Sequence, residues 1–200
     1  MVPCSISSIT LKRYSALLLF AILGATSLRA ELNLSPVKED FDLDGVKMWR
    51  LAFENGATQK ATYQPPAGWL YTGGSNELEL QPPGKSQAEV VITKIGPERV
   101  VSFAEADREK LKQRAVEGLP QGSSEIKVEE PQLNVLQISG KETCLVEVRY
   151  NSFGENFRRY FLLLNLSGGQ LRFQLTCRER DYEELTQAFQ KSLYSWQHLT

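Results

Sequence analysis

Five apolar residues in a row, at positions 160–164 (YFLLL), restrict the fold more than any other part of this sequence. They lie in a predicted strand at 157–165, and successive side chains of a strand point to opposite faces. Both faces of this strand are therefore apolar. A strand of that kind is normally covered on both sides in the folded protein.

The predicted strands before and after it, at 143–150 and 170–177, alternate between apolar and polar residues instead. Their apolar positions are Cys144, Val146, Val148 and Tyr150 in the first strand and Leu171, Phe173, Leu175 and Cys177 in the second. Short connections join the three strands, so the pattern predicts an antiparallel meander with the doubly apolar strand in the middle.

Two predicted helices can cover the faces of this sheet. Ser102 and Glu105 have the spacing of a capping box, which predicts a helix at 103–117 that ends before Gly118. Asp181 and Glu184 repeat that spacing before a helical stripe of apolar residues, formed by Tyr182, Leu185, Phe189, Leu193 and Trp196. The sequence therefore predicts an α+β fold, an antiparallel β-sheet with helices packed on both faces (an α/β/α sandwich).

The remaining segments predict one domain at 46–200 after an N-terminal arm at 31–45. Asn55-Gly56 favours a tight turn between strands at 46–53 and 57–64, an extra hairpin at 46–64. Further strands are predicted at 70–72, 77–81, 88–95, 126–130 and 133–139.

Residues 1–30 have the order of a secretory signal peptide, with Lys12 and Arg13, an apolar stretch at 14–25, and small residues up to Ala30. Cleavage near Ala30 predicts an exported protein, periplasmic or secreted, with no stable membrane span. A signal-anchored envelope protein, in which the segment is never cut, is the alternative. Cleavage removes three of the 23 Lys and Arg residues and none of the 24 acids. The resulting net negative charge argues against a nucleic-acid partner.

Several segments together resemble the PsbP-like superfamily, which includes DcrB-type bacterial periplasmic proteins of unassigned function. They are PPAGW at 65–69, the capped helix in mid-chain, LRFQLTC at 171–177 and DYEELTQAFQKSLYSW at 181–196. The resemblance implies the same sandwich. It also implies a non-enzymatic binding or accessory role without a cofactor or a shared catalytic site.

Asp40, Asp42 and Asp44, followed by Gly45, match the first half of a calcium-binding loop. Leu51 occupies the position where such a loop carries its closing Glu. The alternative is an acidic segment that ends in an Asp-Gly turn, and the missing carboxylate favours that interpretation.

Catalytic groups are few. Ser35 and Lys38 have the S-x-x-K spacing of penicillin-recognising enzymes, but the companion motifs are absent. The single histidine, His198, lies three residues from the end of the sequence, so a Ser-His-Asp triad has no candidate base. A small periplasmic hydrolase that uses carboxylates or the Ser35–Lys38 pair is the alternative to a binding protein.

Arginines are concentrated in the last third of the chain. We consider Arg149, Arg158, Arg159 and Arg172 as candidates for binding a partner, which would be an unknown envelope protein or a small ligand. The alternative is that they form cross-strand pairs with nearby acids.

Cys144 and Cys177 allow two interpretations. An exported protein meets oxidising conditions, which favour a disulfide. The predicted meander places the two residues at opposite ends of the sheet, too far apart for a bridge.

Overall fold

The computed structural model describes residues 32–55 and 59–197, which form two antiparallel sheets and two α-helices. The small sheet contains β1 (Val37–Leu43), β2 (Val46–Asn55) and β3 (Gln59–Tyr63). The large sheet contains β4 (Leu70–Gly73), β5 (Glu77–Gln81), β6 (Glu89–Ile95), β7 (Ser124–Val128), β8 (Gln132–Leu133), β9 (Thr143–Ser152), β10 (Glu155–Leu166) and β11 (Gly169–Arg178). The helices are α1 (Arg108–Val116) and α2 (Tyr182–Leu193).

The large sheet has the strand order β4-β5-β6-β11-β10-β9-β7, with β8 also paired to β9. Strand β10 is the longest and lies between β9 and β11, so the predicted meander is confirmed. Leu162 of β10 stands between Leu145 and Phe173, and all three are buried.

One face of the large sheet is covered by both the small sheet and α2. Tyr160, Leu162 and Leu164 of β10 point into this cluster, together with the apolar stripe of α2. Trp196, just after α2, stacks on Tyr63 and Phe53 of the small sheet, at ring-centroid distances of 4.7 and 5.3 Å. The predicted hairpin is therefore part of the main core.

The other face of the large sheet is covered by α1 over part of its width. Phe161 and Leu163 of β10 pack in this cluster with Leu111 and Ala115 of α1. With nine residues, α1 contacts mainly β9, whereas the opposite face carries a helix and a sheet. The fold is thus mostly antiparallel sheet with two helices, and the predicted sandwich is found in part.

Several predictions of local structure were wrong. Much of the predicted arm at 31–45 is strand β1, paired with β2 along its whole length. The helix predicted at 103–117 begins only at Arg108, after a 3₁₀ turn at Glu105–Asp107. The strand predicted at 133–139 stops at Leu133, because Asn134 adopts a positive φ angle of 53°.

Neither capping box forms. The Ser102 hydroxyl accepts a hydrogen bond from the amide of Ala104, and neither helix has a side-chain cap. The Asp181 carboxylate instead accepts a hydrogen bond from Lys85. The side chains of Ser102 and Asp181 are thus used in other contacts.

Within the part of the chain that the structure describes, no helix is long and apolar enough to cross a membrane. The predicted signal peptide at 1–30, the turn residue Gly56 and the histidine at 198 lie outside the described residues.

Candidate binding cleft

A cleft of about 700 Å³ lies at the end of the large sheet where β9 begins and β10 ends. One wall is the loop at 97–104 that precedes α1, and the other is formed by Leu133 and Asn134 at the end of β8. The floor consists of Glu142, Thr143 and the β10–β11 turn at 165–169.

Gln170 holds the first wall in place. Its side chain is buried, accepts a hydrogen bond from the Val101 amide (3.1 Å) and donates one to the Val101 carbonyl (2.7 Å). The same amide nitrogen also donates to the Asn165 side chain at 2.8 Å. One side chain thereby ties the loop to the β10–β11 turn.

Asn134 holds the second wall in place. Its backbone amide donates to the Thr143 carbonyl (2.8 Å), and its side-chain oxygen accepts a hydrogen bond from the Thr143 amide (3.2 Å). The Thr143 hydroxyl donates to the Leu136 carbonyl at 2.5 Å. The left-handed conformation of Asn134 suits an asparagine and turns the chain away from β9.

The lining combines apolar and hydrogen-bonding side chains. Val100 and Leu133 keep 42% and 52% of their surface exposed, and Phe103 and Leu166 are partly buried beside them. Ser102, Asn134, Asn165 and Ser167 supply hydroxyl and amide groups, and Glu142 is the one titratable side chain. This chemistry suits a ligand that is mainly apolar and carries a few polar groups.

The four arginines considered for partner binding do not form one surface, because they lie on opposite faces of the sheet. Arg149 and Arg158 are register partners on the α2 side. Arg159 and Arg172 are on the α1 side, since Arg159 contacts α1 and Arg172 is paired with Leu163.

Arg158 is a buried ion-pairing residue. Its guanidinium lies within 3.3–3.6 Å of carboxylate oxygens of Glu147, Glu179 and Glu183. It also covers the ring of Tyr182, 3.7 Å from the centroid, while the Tyr182 hydroxyl donates to Glu147. Burial is the main cause that raises the pKa of Tyr182.

Arg159 and Arg172 also have contacts within the fold. Arg159 donates to the carbonyls of Ala115 (3.0 Å) and Glu117 (2.8 Å) at the C-terminal end of α1. Arg172 donates to the Thr93 hydroxyl at 2.9 Å. Burial lowers the pKa of both guanidinium groups. Only Arg149 of the four candidates is exposed.

The three aspartates of the calcium hypothesis are placed by the β1–β2 hairpin. Asp40 and Asp42 are alternate residues of β1, and Asp44 lies in the turn with a φ angle of 54°. Asp42 accepts a hydrogen bond from the Gly45 amide at 2.8 Å, as an Asp-Gly turn requires. Among residues 32–55 and 59–197, no group of three His, Cys, Asp or Glu residues could hold a metal ion.

Ser35 and Lys38 are not brought together as a catalytic pair. Ser35 is exposed, and its amide donates to the Asn33 side chain. The Lys38 ammonium lies 3.8 Å from Asp40 and 5.4 Å from the centroid of the Trp49 ring.

Cys144 and Cys177 are buried free thiols. They are paired with Leu163 and Arg158 of β10, five positions apart along that strand and on opposite faces. Burial raises the pKa of Cys144 to about 11 and that of Cys177 to about 12. The geometric argument against a bridge therefore holds in the structure.

None of the candidate site residues named from the sequence lines the cleft. Its lining comes from loops and strand ends, where periodicity gives no information. The sequence does contain one indication of the cleft. Val100 and Leu133 are apolar but do not belong to a long amphipathic helix or strand, as is typical of exposed binding residues.

No family model matches this chain, and no curated protein matches its sequence significantly. Among solved structures, it is similar to a cyanobacterial PsbP protein (CyanoP) from Synechocystis, at 12% identity and a TM-score of 0.49 over 88% of this chain and 96% of that one. It is also similar to PA94, a protein of unknown function from Pseudomonas aeruginosa, at 14% identity and a TM-score of 0.43 over 78% of this chain and 94% of that one.

Proposed function

We propose that this chain is an exported accessory protein that acts by binding a partner protein rather than by catalysis. The main support for this proposal is the cleft, a concave site whose walls contain exposed apolar residues. Exposed apolar surface that adjoins hydrogen-bonding groups is typical of interaction sites.

A protein segment fits this cleft better than a small molecule does. Pockets for small molecules bury most of the ligand surface. Here Val100, Ser102, Ala104, Leu133 and Glu142 are exposed, so the cleft is a surface groove. An apolar segment of a partner would cover Val100 and Leu133 and hydrogen-bond to the amide and hydroxyl groups between them.

The single titratable group of the lining supports binding over catalysis. Acid–base mechanisms use groups whose pKa values are held apart by their surroundings. Such a mechanism needs at least two titratable groups near the substrate, and Glu142 is the only titratable side chain of the lining.

Export is supported by the order of residues in the segment 1–30. The intact mass of the protein isolated from its native cells tests this. A mass that lacks the first 30 residues supports cleavage near Ala30, and a mass that includes them supports the signal-anchored alternative.

Photo-crosslinking in native cells tests the cleft. A photoreactive amino acid at Leu133 should crosslink to one defined partner, whereas the same group at Ile126, an apolar residue of similar exposure on β7, should not. Equal crosslinking from both positions would count against the cleft as the binding site.

Paired substitutions make the test quantitative. Val100→Glu combined with Leu133→Glu should weaken capture of that partner at least tenfold, because carboxylates replace the apolar contacts. The matched control, Leu70→Glu with Ile126→Glu, introduces the same charges at exposed apolar positions outside the cleft and should leave capture unchanged.

A further inference from the structure

Strand β1 is an edge strand of the small sheet, and its outer edge is longer and more regular than the edges of the large sheet. It pairs with β2 over all seven of its residues without a register shift, and β2 is its only neighbour in the described chain. At the far side of the small sheet, β3 is bridged by Thr62 to Gln197. An open, regular edge offers a row of backbone donors and acceptors to another strand.

The edges of the large sheet are protected by comparison. Strand β4 has only four residues and follows Pro65-Pro66 closely. The pairing of β7 is irregular between Ser124 and Lys127, and β8 has two residues. Short strands, prolines, bulges and charged side chains are devices that prevent edge-to-edge pairing. Strand β1 has no proline or bulge within its length, but four of its seven residues are charged, so its pairing must be selective for a strand of matching charge.

The sequence of β1, VKEDFDL, is complementary to itself in the antiparallel direction at four of its seven positions. Pairing about Asp40 uses the whole strand. It places Lys38 of each copy opposite Asp42 of the other and Val37 opposite Leu43, while Glu39 lies opposite Phe41. Opposite charges and apolar residues that face each other across strands are stabilising. Val37 and Leu43 are 61% and 54% exposed in the single chain, so both are free to make this contact.

We propose that two copies of this chain associate through β1, antiparallel and centred on Asp40, so that their small sheets join into one six-stranded sheet. The occupant of the open edge is thus a second copy of the chain. Because no residue of β1 lines the cleft, this association is independent of the proposed function and can fail without it.

We expect the association to be weak for two reasons. One strand pair of seven residues buries less than the roughly 1,600 Å² of a standard interface. The central Asp40 residues also face each other with like charge. We expect dissociation in the micromolar range or above, and tighter association in Asp40→Asn.

A charge exchange tests the register. Lys38→Asp and Asp42→Lys should each abolish the dimer in sedimentation equilibrium over a hundredfold range of protein concentration. The double variant should restore it, because both intermolecular pairs are then rebuilt with reversed sign. Residues four apart in a strand are about 13 Å from each other, so positions 38 and 42 of one chain cannot pair with each other directly.

Lys127→Asp, at an exposed position of β7, is the matched control and should dimerise like the unmodified protein. Circular dichroism confirms that each variant is folded. The proposal is overturned if the unmodified protein stays monomeric at all concentrations, if either single variant dimerises normally, or if the folded double variant stays monomeric.

Discussion

Arg159 acts as an internal cation at the end of a helix. The last carbonyls of a helix lack intrahelical partners and carry partial negative charge. Arg159 reaches across from β10 and donates to the carbonyls of Ala115 and Glu117 at this end, with that of Gly118 just beyond the helix at 3.5 Å, while its side chain stays almost fully buried. A sequence that shows adjacent arginines at 158 and 159 cannot distinguish this role from a basic surface.

Replacement of Arg159 by Lys should lower the free energy of unfolding by about 1–3 kcal/mol, because one ammonium cannot satisfy the same buried carbonyls. Arg149→Lys, at an exposed position of the neighbouring strand, should change it by less than about 0.5 kcal/mol. Urea unfolding of both variants measures the difference. Similar values for the two would show that the Arg159 contacts contribute little.

Gly169 is required by a close backbone approach at the cleft floor. A Cβ atom there would lie 2.3 Å from the carbonyl oxygen of Ile95, so β11 would have to move away from β6. Gly169→Ala should therefore cost about 1–3 kcal/mol in unfolding free energy. Gly74 has no heavy atom within 4 Å of such a Cβ, so Gly74→Ala should be nearly neutral. Equal stability of the two variants in urea would contradict this account.

At the scale of elements, the central strand was predictable and the caps were not. The apolar run at 160–164 requires cover on both faces, and both core clusters indeed contain residues of β10. Capping boxes are short patterns of polar residues, and such residues have alternative partners. Asp181 is the example, since its carboxylate contacts Lys85 from the loop after β5. That partner is 96 residues away in sequence and is set by the tertiary structure.

The Lys85–Asp181 contact should make stability depend on pH. The hydrogen bond from Lys85 is the main cause that lowers the pKa of Asp181. A carboxyl group with a lowered folded-state pKa contributes stability above its unfolded pKa of about 4, and this contribution is lost as the pH falls through the folded value. Asp181→Asn should therefore reduce the melting temperature at pH 7, and the difference should shrink below pH 4.

Glu184→Gln is the control for that measurement, because Glu184 lies 3.8 Å from the same ammonium but is largely exposed. It should shift the melting temperature little at either pH. A constant difference between Asp181→Asn and the unmodified protein across the range would indicate that the effect is not electrostatic.

For the whole molecule, the sequence predicted that the sheet is covered on both faces, but not which helices and strands cover each face. The alternating pattern of β9 and β11 predicted correctly which residues of each strand are apolar and buried. It could not show which helix or sheet those residues pack against. In the structure Val146 faces α1, whereas Phe173 faces α2 and the small sheet. The cover supplied by β1–β3 depends on long-range packing, such as Trp196 on Tyr63, which local patterns do not encode.

Both core clusters meet on β10, so its amides should open only with global unfolding. In hydrogen exchange, residues 157–164 should exchange most slowly, and the edge strands β4 and β7 should exchange much faster. Mass spectrometry of peptic fragments measures this order. Protection of β4 equal to that of β10 would show that the large sheet opens as one unit.

The position of β10 also determines when the large sheet can assemble during synthesis. Its central pair, β10 and β11, ends at Arg178, so strands β4 to β9 leave the ribosome before the two strands that join β6 to β9 exist. Strand β6 must wait for β11, about 80 residues later, because the two are directly paired. The two parts of the sheet, β4–β6 and β7–β9, therefore stay separate until the last quarter of the chain is made.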